Sequence, residues 1–179
     1  LATMLSAQTT DKRVNQVTRV LFRKYPSLEA LKDAPREDIE EIIKPIGTYQ
    51  RKSLYVKEIA TIIVDQYGGK TPSDRKILES LPGVGHKTVN VFLSNIYDVP
   101  AIAVDTHVER LSKRLGLAKK DDSVLAVEKK LEKHFDPSVW GRRHHQLVLF
   151  GRYHCKSMKP ECDSCKLQEI CKYYKTLKK

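Results

Sequence analysis

The chain has 179 residues, 40% of them hydrophobic and 31% charged, which suits one or two small domains with a buried core. No apolar run approaches the roughly 18–20 residues that span a bilayer, and no basic segment followed by an apolar core opens the chain, so a membrane protein and a secreted one are both set aside. A net charge of +11 and a pI near 9.5 point to an anionic partner, nucleic acid or an acidic membrane surface.

Helical periodicity dominates in chain order. Leu1, Met4 and Leu5 form a helical apolar stripe with no cap before it, and the expectation is that an N-terminal segment is missing. Asp11 to Lys24 carries Val14, Val17 and Leu21 on one face. Ser27 caps a short helix through Lys32, and Pro35 suits the first turn of another with Ile39, Ile42 and Ile43 inward. Pro45 and Gly47 break it. Tyr55, Ile59, Ile62 and Ile63 mark a longer helix ending at Gly68-Gly69. A short helix from Ser73 to Ser80 leads through a Pro-Gly-Val-Gly turn into one carrying Val89, Phe92, Leu93 and Ile96. Val99 to Val104 reads as extended or as a buried connector. Asp105 or Thr106 caps a helix with Val108, Leu111 and Leu115. Ser123 caps the next, and Pro137 opens one reaching about Tyr153. The chain is all-α with short connections, and no repeat or low-complexity linker divides it.

All four cysteines, Cys155, Cys162, Cys165 and Cys171, fall within the last 25 residues in the spacing C-x6-C-x2-C-x5-C. Interspersed lysines make core filler a poor explanation. Four thiolates from one loop can hold a soft metal centre. Disulfides are disfavoured in a reducing compartment. Structural zinc and an iron–sulfur cluster both take four cysteines, and spacing alone leaves the two open, the x6 gap tilting toward a cluster. Residues 155–179 hold seven lysines against Glu161, Asp163 and Glu169. Held on a metal scaffold, Lys156 and Lys159 can reach phosphates, whereas Lys175, Lys178 and Lys179 read as a solvated tail.

The segment from Leu81 to Thr88, LPGVGHKT, lies between two expected helices. Gly83 and Gly85 allow positive φ and close backbone approach, and amides at the start of the following helix suit a phosphate; an ordinary helix–helix turn is the plainer explanation. Lys87 lies in the first turn of that helix, where the dipole disfavours a cation and makes the free amine more available as a nucleophile. Asp105, 18 residues on, is a helix cap that can also serve chemistry at the mouth of a cleft.

Together these pieces resemble the endonuclease III family of helix-hairpin-helix DNA glycosylases. The resemblance runs through Leu5-Ser6-Ala7-Gln8, Ile46-Gly47, the 81–88 segment, Ala103-Val104-Asp105-Thr106-His107, Gly151-Arg152-Tyr153 and the four cysteines, and so covers essentially the whole chain. It implies a two-lobed all-α fold: a six-helix barrel over 1–99 with the hairpin at about 77–97, and a cluster lobe over 100–179 whose loop, 155–171, carries a [4Fe–4S] cluster. DNA is expected between the lobes. It implies a bifunctional enzyme, a DNA N-glycosylase and AP lyase of base excision repair, acting on double-stranded DNA with a damaged pyrimidine or an abasic site. By position, Lys87 is the nucleophile and Asp105 its assistant. Gln8 fills the gap left by a flipped base, Gly83 and Gly85 bind a phosphate, and His107 joins the DNA contacts. Flipping is required because C1′ chemistry is inaccessible inside a stacked duplex. At the place of a leucine wedge in some members this chain has Thr48, a weaker wedge whose role Tyr49 can share. A monomer in the cytoplasm, associated with the nucleoid, is expected. The rival readings are a monofunctional adenine or mismatch glycosylase, against which Lys87 argues, a non-catalytic hairpin DNA-binding module, and a structural zinc protein.

Overall fold

The computed structural model describes residues 1–178, and among them the chain is helical with no strand. It packs as two compact units, Leu1–Val89 and Asn90–Lys179. The division falls inside the helix His86–Ile96; the expectation from sequence is 99/100, just past the end of that helix. Among the described residues no helix is long and apolar enough to cross a membrane.

The first unit holds α1 (Ala2–Leu5), α2 (Asp11–Lys24), α3 (Leu28–Asp33), α4 (Arg36–Ile43), α5 (Tyr49–Tyr67), α6 (Arg75–Ser80) and the first turn of α7 (His86–Ile96). Helix α2 has the bounds its periodicity gives: Val14, Val17, Thr18 and Leu21 are buried on one stripe, Asp11 lies in its first turn, and Arg23 and Lys24 lie in its last, as the macrodipole favours. Ser27 Oγ accepts from Ala30 N at 3.2 Å and starts α3. Helix α5 packs against α3 and α4. It begins at Tyr49, six residues before Tyr55, the first of the apolar residues that mark it in sequence, and ends where Gly68 turns left-handed, as expected. The early turns escape an apolar count because the residues they bury are Lys52 and Ser53, at 5% and 0% exposure. Lys52 nevertheless continues a helical stripe through Val56, Ile59 and Ile63, all buried.

The second unit is built from the rest of α7, α8 (Thr106–Leu115), α9 (Val124–His134), a 3-10 turn (Pro137–Val139), α10 (Trp140–Tyr153) and α11 (Lys172–Leu177). Ile102, Val104, Val108, Leu111, Val127, Leu131 and Leu147 form its core. The connector before α8 is buried from Ala101 to Val104 without strand pairing, and Asn90 Nδ2 donates to Ile102 O at 3.4 Å. The Pro137 start is corrected by three residues: Pro137 opens the 3-10 turn, closed by Asp136 accepting from Ser138 N at 2.9 Å, and the α-helix follows from Trp140. Helix α11, polar and one and a half turns long, has no periodicity that a sequence reading could use.

Candidate functional site

In the first unit, Leu81 is buried and the 81–85 turn closes with Val84 N donating to Leu81 O at 3.1 Å. The two glycines of this turn do different work. Gly83 has φ +70°, and a Cβ built there would lie 2.3 Å from Tyr55 Cδ2, so the turn lies directly against the Tyr55 ring. Gly85 lacks positive φ, and nothing lies within 4 Å of where its Cβ would be. The expectation of positive φ is therefore met at Gly83 only. At Gly85 the open face suits a group from outside the chain. Glu79 at the end of α6 braces the turn from behind, pairing with Arg75 and, at 3.0 Å, with His86 Nδ1. The His86 hydrogen bond is the main reason the Glu79 carboxyl titrates below its ordinary range. Lys87 is exposed on the first turn of α7, and among the described residues of its own unit nothing pairs with its ammonium.

Among the described residues four non-glycine residues have positive φ: Gln8 (+55°), Thr48 (+57°), Asp98 (+51°) and Lys159 (+47°). Three of the four are residues the sequence reading picks as DNA contacts. A left-handed backbone costs an L-residue roughly 1–2 kcal/mol, and a β-branched threonine adopts it rarely. Such strain concentrates at binding and catalytic positions, where it presents a side chain that relaxed backbone would turn away. Gln8 and Thr48 are both exposed. Thr48 Oγ1 donates to Gly47 O at 2.7 Å, and Arg13 Nη1 donates to Pro45 O at 3.2 Å in the turn before it.

In the second unit, Asp105 is the N-cap of α8. Its Oδ1 accepts from His107 N at 2.9 Å and Val108 N at 2.8 Å. The carboxylate is half-buried and its orientation is fixed by these amides. Lys87 and Asp105 belong to different units. His107 Nδ1 lies 3.2 Å from Arg110 Nη2, and the same guanidinium donates to Gly151 O at 2.6 Å and to Cys155 O at 3.1 Å. A Cβ on Gly151 would come within 2.9 Å of His107 O, so only glycine lets α10 pack this closely on the start of α8.

The four cysteines line one cavity with Arg114, His154 and Tyr173. None of them forms a disulfide, and among the described residues no three ligating side chains converge on a single point as for one metal ion. The loop is shaped by its own backbone. Cys165 N donates to Cys162 O at 3.1 Å, and the Gln168 amide donates to Cys162 O at 2.7 Å and Asp163 O at 2.9 Å. Arg114 reaches from α8, donating to Lys156 O at 2.6 Å and Ser157 O at 3.0 Å, and lies 3.3 Å from Cys155 Sγ. Its guanidinium stacks 4.5 Å over the Tyr173 ring. Burial first, and the neighbouring thiols second, push the Cys162 thiol above its ordinary range. His154 Nε2 is buried with no hydrogen-bond partner among the described residues. Lys156 shares its charge with Glu161 at 2.7 Å, whereas among the described residues no carboxylate pairs with Lys159.

The chain matches the family model of HhH-GPD superfamily base excision DNA repair proteins over residues 1–137. It is 48% identical over 172 residues to endonuclease III of Bacillus subtilis, covering 96% of this chain and 78% of that protein. It is 39% identical over 173 residues to endonuclease III of Escherichia coli, covering 97% and 82%. Among solved structures it is similar to a trapped endonuclease III–DNA covalent intermediate, at TM-score 0.94 and 47% identity, covering 99% of this chain and 84% of that one. A thermostable thymine-DNA glycosylase is similar at TM-score 0.89 and 26% identity, covering 98% and 82%.

Proposed function

Because the chain belongs to the endonuclease III family of the HhH-GPD superfamily, we propose that it is a bifunctional DNA glycosylase and AP lyase of base excision repair. Its substrate is double-stranded DNA carrying an oxidised pyrimidine or an abasic site. The observation that carries the lyase half is Lys87, an exposed lysine in the first turn of α7, directly behind the glycine turn. A solved relative is a covalent intermediate with DNA.

The chemistry follows from the residues. Gly85, open on its outer face, and the amides at the start of α7 take a backbone phosphate beside the damage. Gln8 enters the space the damaged nucleotide vacates, and Thr48 with Tyr49 separates the neighbouring bases. Lys87 Nζ, as the free amine, attacks C1′ while the glycosidic bond breaks and the base departs with its electron pair and a proton. The C1′–O4′ bond then breaks, O4′ takes up a proton, and the nitrogen lone pair forms a protonated imine between Nζ and C1′. Removal of a C2′ proton expels the 3′ phosphate by β-elimination, and water returns the lysine. Asp105, oriented by the His107 and Val108 amides, receives a proton from Lys87 or stabilises the positive charge developing on the sugar. His107, Lys156 and Lys159 contact the flanking backbone.

The metal centre we infer is a [4Fe–4S] cluster on Cys155, Cys162, Cys165 and Cys171. Four thiols around one cavity, the Arg114 guanidinium beside Cys155 Sγ and the unpartnered His154 Nε2 fit a sulfur-rich charged group better than a single ion. When bound, such a cluster cross-links the 155–171 loop and takes no part in bond-making. Brown protein with visible absorbance, lost in Cys165→Ser, supports this; a colourless protein containing zinc overturns it.

The lyase assignment is tested on a duplex with one thymine glycol. Strand scission without alkali is expected. Base loss that needs alkali to reveal it would transfer the chain to the monofunctional glycosylases.

A further inference from the structure

Lys52 has no place in the chemistry above, yet it is 5% exposed in the first unit. Its ammonium donates to Leu5 O at 2.9 Å, Ala7 O at 2.6 Å and Thr9 Oγ1 at 3.3 Å. Three donors thus meet three acceptors, and among the described residues no carboxylate joins them. These acceptors flank Gln8 on both sides, and the ammonium holds the turn in which Gln8 takes φ +55°. The backbone amide of Lys52 donates at 3.0 Å to the carbonyl of Thr48, which with Gln8 is one of the two exposed non-glycine residues with positive φ among the described residues of this unit. One residue therefore ties together both strained turns. Burial holds the Lys52 ammonium below the ordinary lysine range, so the arrangement keeps a cation where solvation is poor. Lys57, one turn further along α5, bonds Lys32 O and Ala34 O in the same way, and no left-handed residue lies between its acceptors.

We propose that Lys52 is a positioning residue, a clamp that fixes the Gln8 turn against the Thr48 turn so that the two side chains enter damaged DNA at a set spacing. This rests on the reading of Gln8 and Thr48 as the inserting residues. A displacement of about 1 Å at such a site can lower function by up to about 100-fold with no contact of its own to substrate.

The test is a double-variant cycle on the full chain. The readout is the ratio of affinities for a duplex with a tetrahydrofuran abasic analogue and for the same duplex undamaged, with helical content measured beside it. Gln8→Ala and Lys52→Met are each expected to lower the ratio about 10-fold, the pair no further than either alone, and Lys52→Arg to restore part of it. Lys57→Met, which loses the same kind of bond, is expected to leave the ratio unchanged. Multiplying effects in the double variant, or an unchanged ratio in Lys52→Met when Gln8→Ala lowers it, overturns the clamp and leaves the Gln8 reading standing. If Gln8→Ala changes nothing while the parent still cuts damaged DNA, the inserting role falls and the clamp falls with it, but the enzyme assignment stands. Should Lys52→Met not fold, Thr9→Val removes one acceptor. A drop of about 3-fold supports the clamp, and an unchanged ratio overturns it.

Discussion

Replacing each hairpin glycine by alanine separates the two jobs of the turn. At Gly83 the added methyl meets the Tyr55 ring at 2.3 Å from Cδ2 and 2.7 Å from Cε2, on a backbone with φ +70°. The left-handed backbone costs alanine roughly 1–2 kcal/mol and the overlap roughly 1–3 kcal/mol, so Gly83→Ala is expected to lose about 2–5 kcal/mol. At Gly85 neither cost arises, since φ is not positive and no atom lies within 4 Å. Gly85→Ala is therefore expected to change stability by no more than about 1 kcal/mol, while weakening binding to an abasic duplex, because the methyl stands where a phosphate approaches. Urea unfolding followed by helical circular dichroism measures the first effect and titration with labelled duplex the second. Tyr55→Ala in the Gly83→Ala background should recover the steric part alone. A Gly83→Ala protein within 1 kcal/mol of the parent, or a Gly85→Ala protein with unchanged DNA affinity, would refute the division of labour.

Asp105→Asn keeps an oxygen for the His107 and Val108 amides, so stability should hold while strand scission is lost; Asp105→Ala should lose about 1 kcal/mol as well, read by thermal unfolding. Gly151→Ala drives a methyl into the His107 carbonyl and should cost about 1–3 kcal/mol, lowering the unfolding midpoint. Lys24 foremost, and the Tyr25 hydroxyl after it, hold the Asp38 carboxyl below its ordinary range. A depressed carboxyl stabilises the folded chain above the unfolded value and loses that effect as pH falls through the folded one. The destabilisation by Asp38→Asn should therefore be full above about pH 5 and fade below about pH 4 in unfolding curves taken across that range.

Where the sequence was legible, local chemistry decided the outcome. Ser27, Asp105 and Ser123 each accept from an amide two or three residues on, so a cap preference became a helix start. The apolar stripe of α2 left no competing register. The first turns of α5 were hidden because what they bury is polar, and Lys52 satisfies its ammonium with carbonyls more than forty residues away in the chain. The stripe Lys52–Val56–Ile59–Ile63 was the available signal, a lysine in step with an apolar face. In the segments expected to form the site, backbone states were not legible. Nothing in the letters gives Gln8, Thr48 and Lys159 positive φ, which the surrounding fold imposes at the cost of local strain. The two glycines looked equivalent in sequence, and the positive φ and the Tyr55 ring at Gly83 tell them apart.

The central claim is that Lys87 becomes covalently joined to damaged DNA. Incubating the protein with a thymine glycol duplex in the presence of borohydride reduces any imine to a stable amine, and peptide mass spectrometry locates it. An adduct is expected on the peptide containing Lys87 and none with Lys87→Ala. An adduct on another residue, or binding by a protein with its cysteine centre intact that neither cross-links nor cuts, would contradict it.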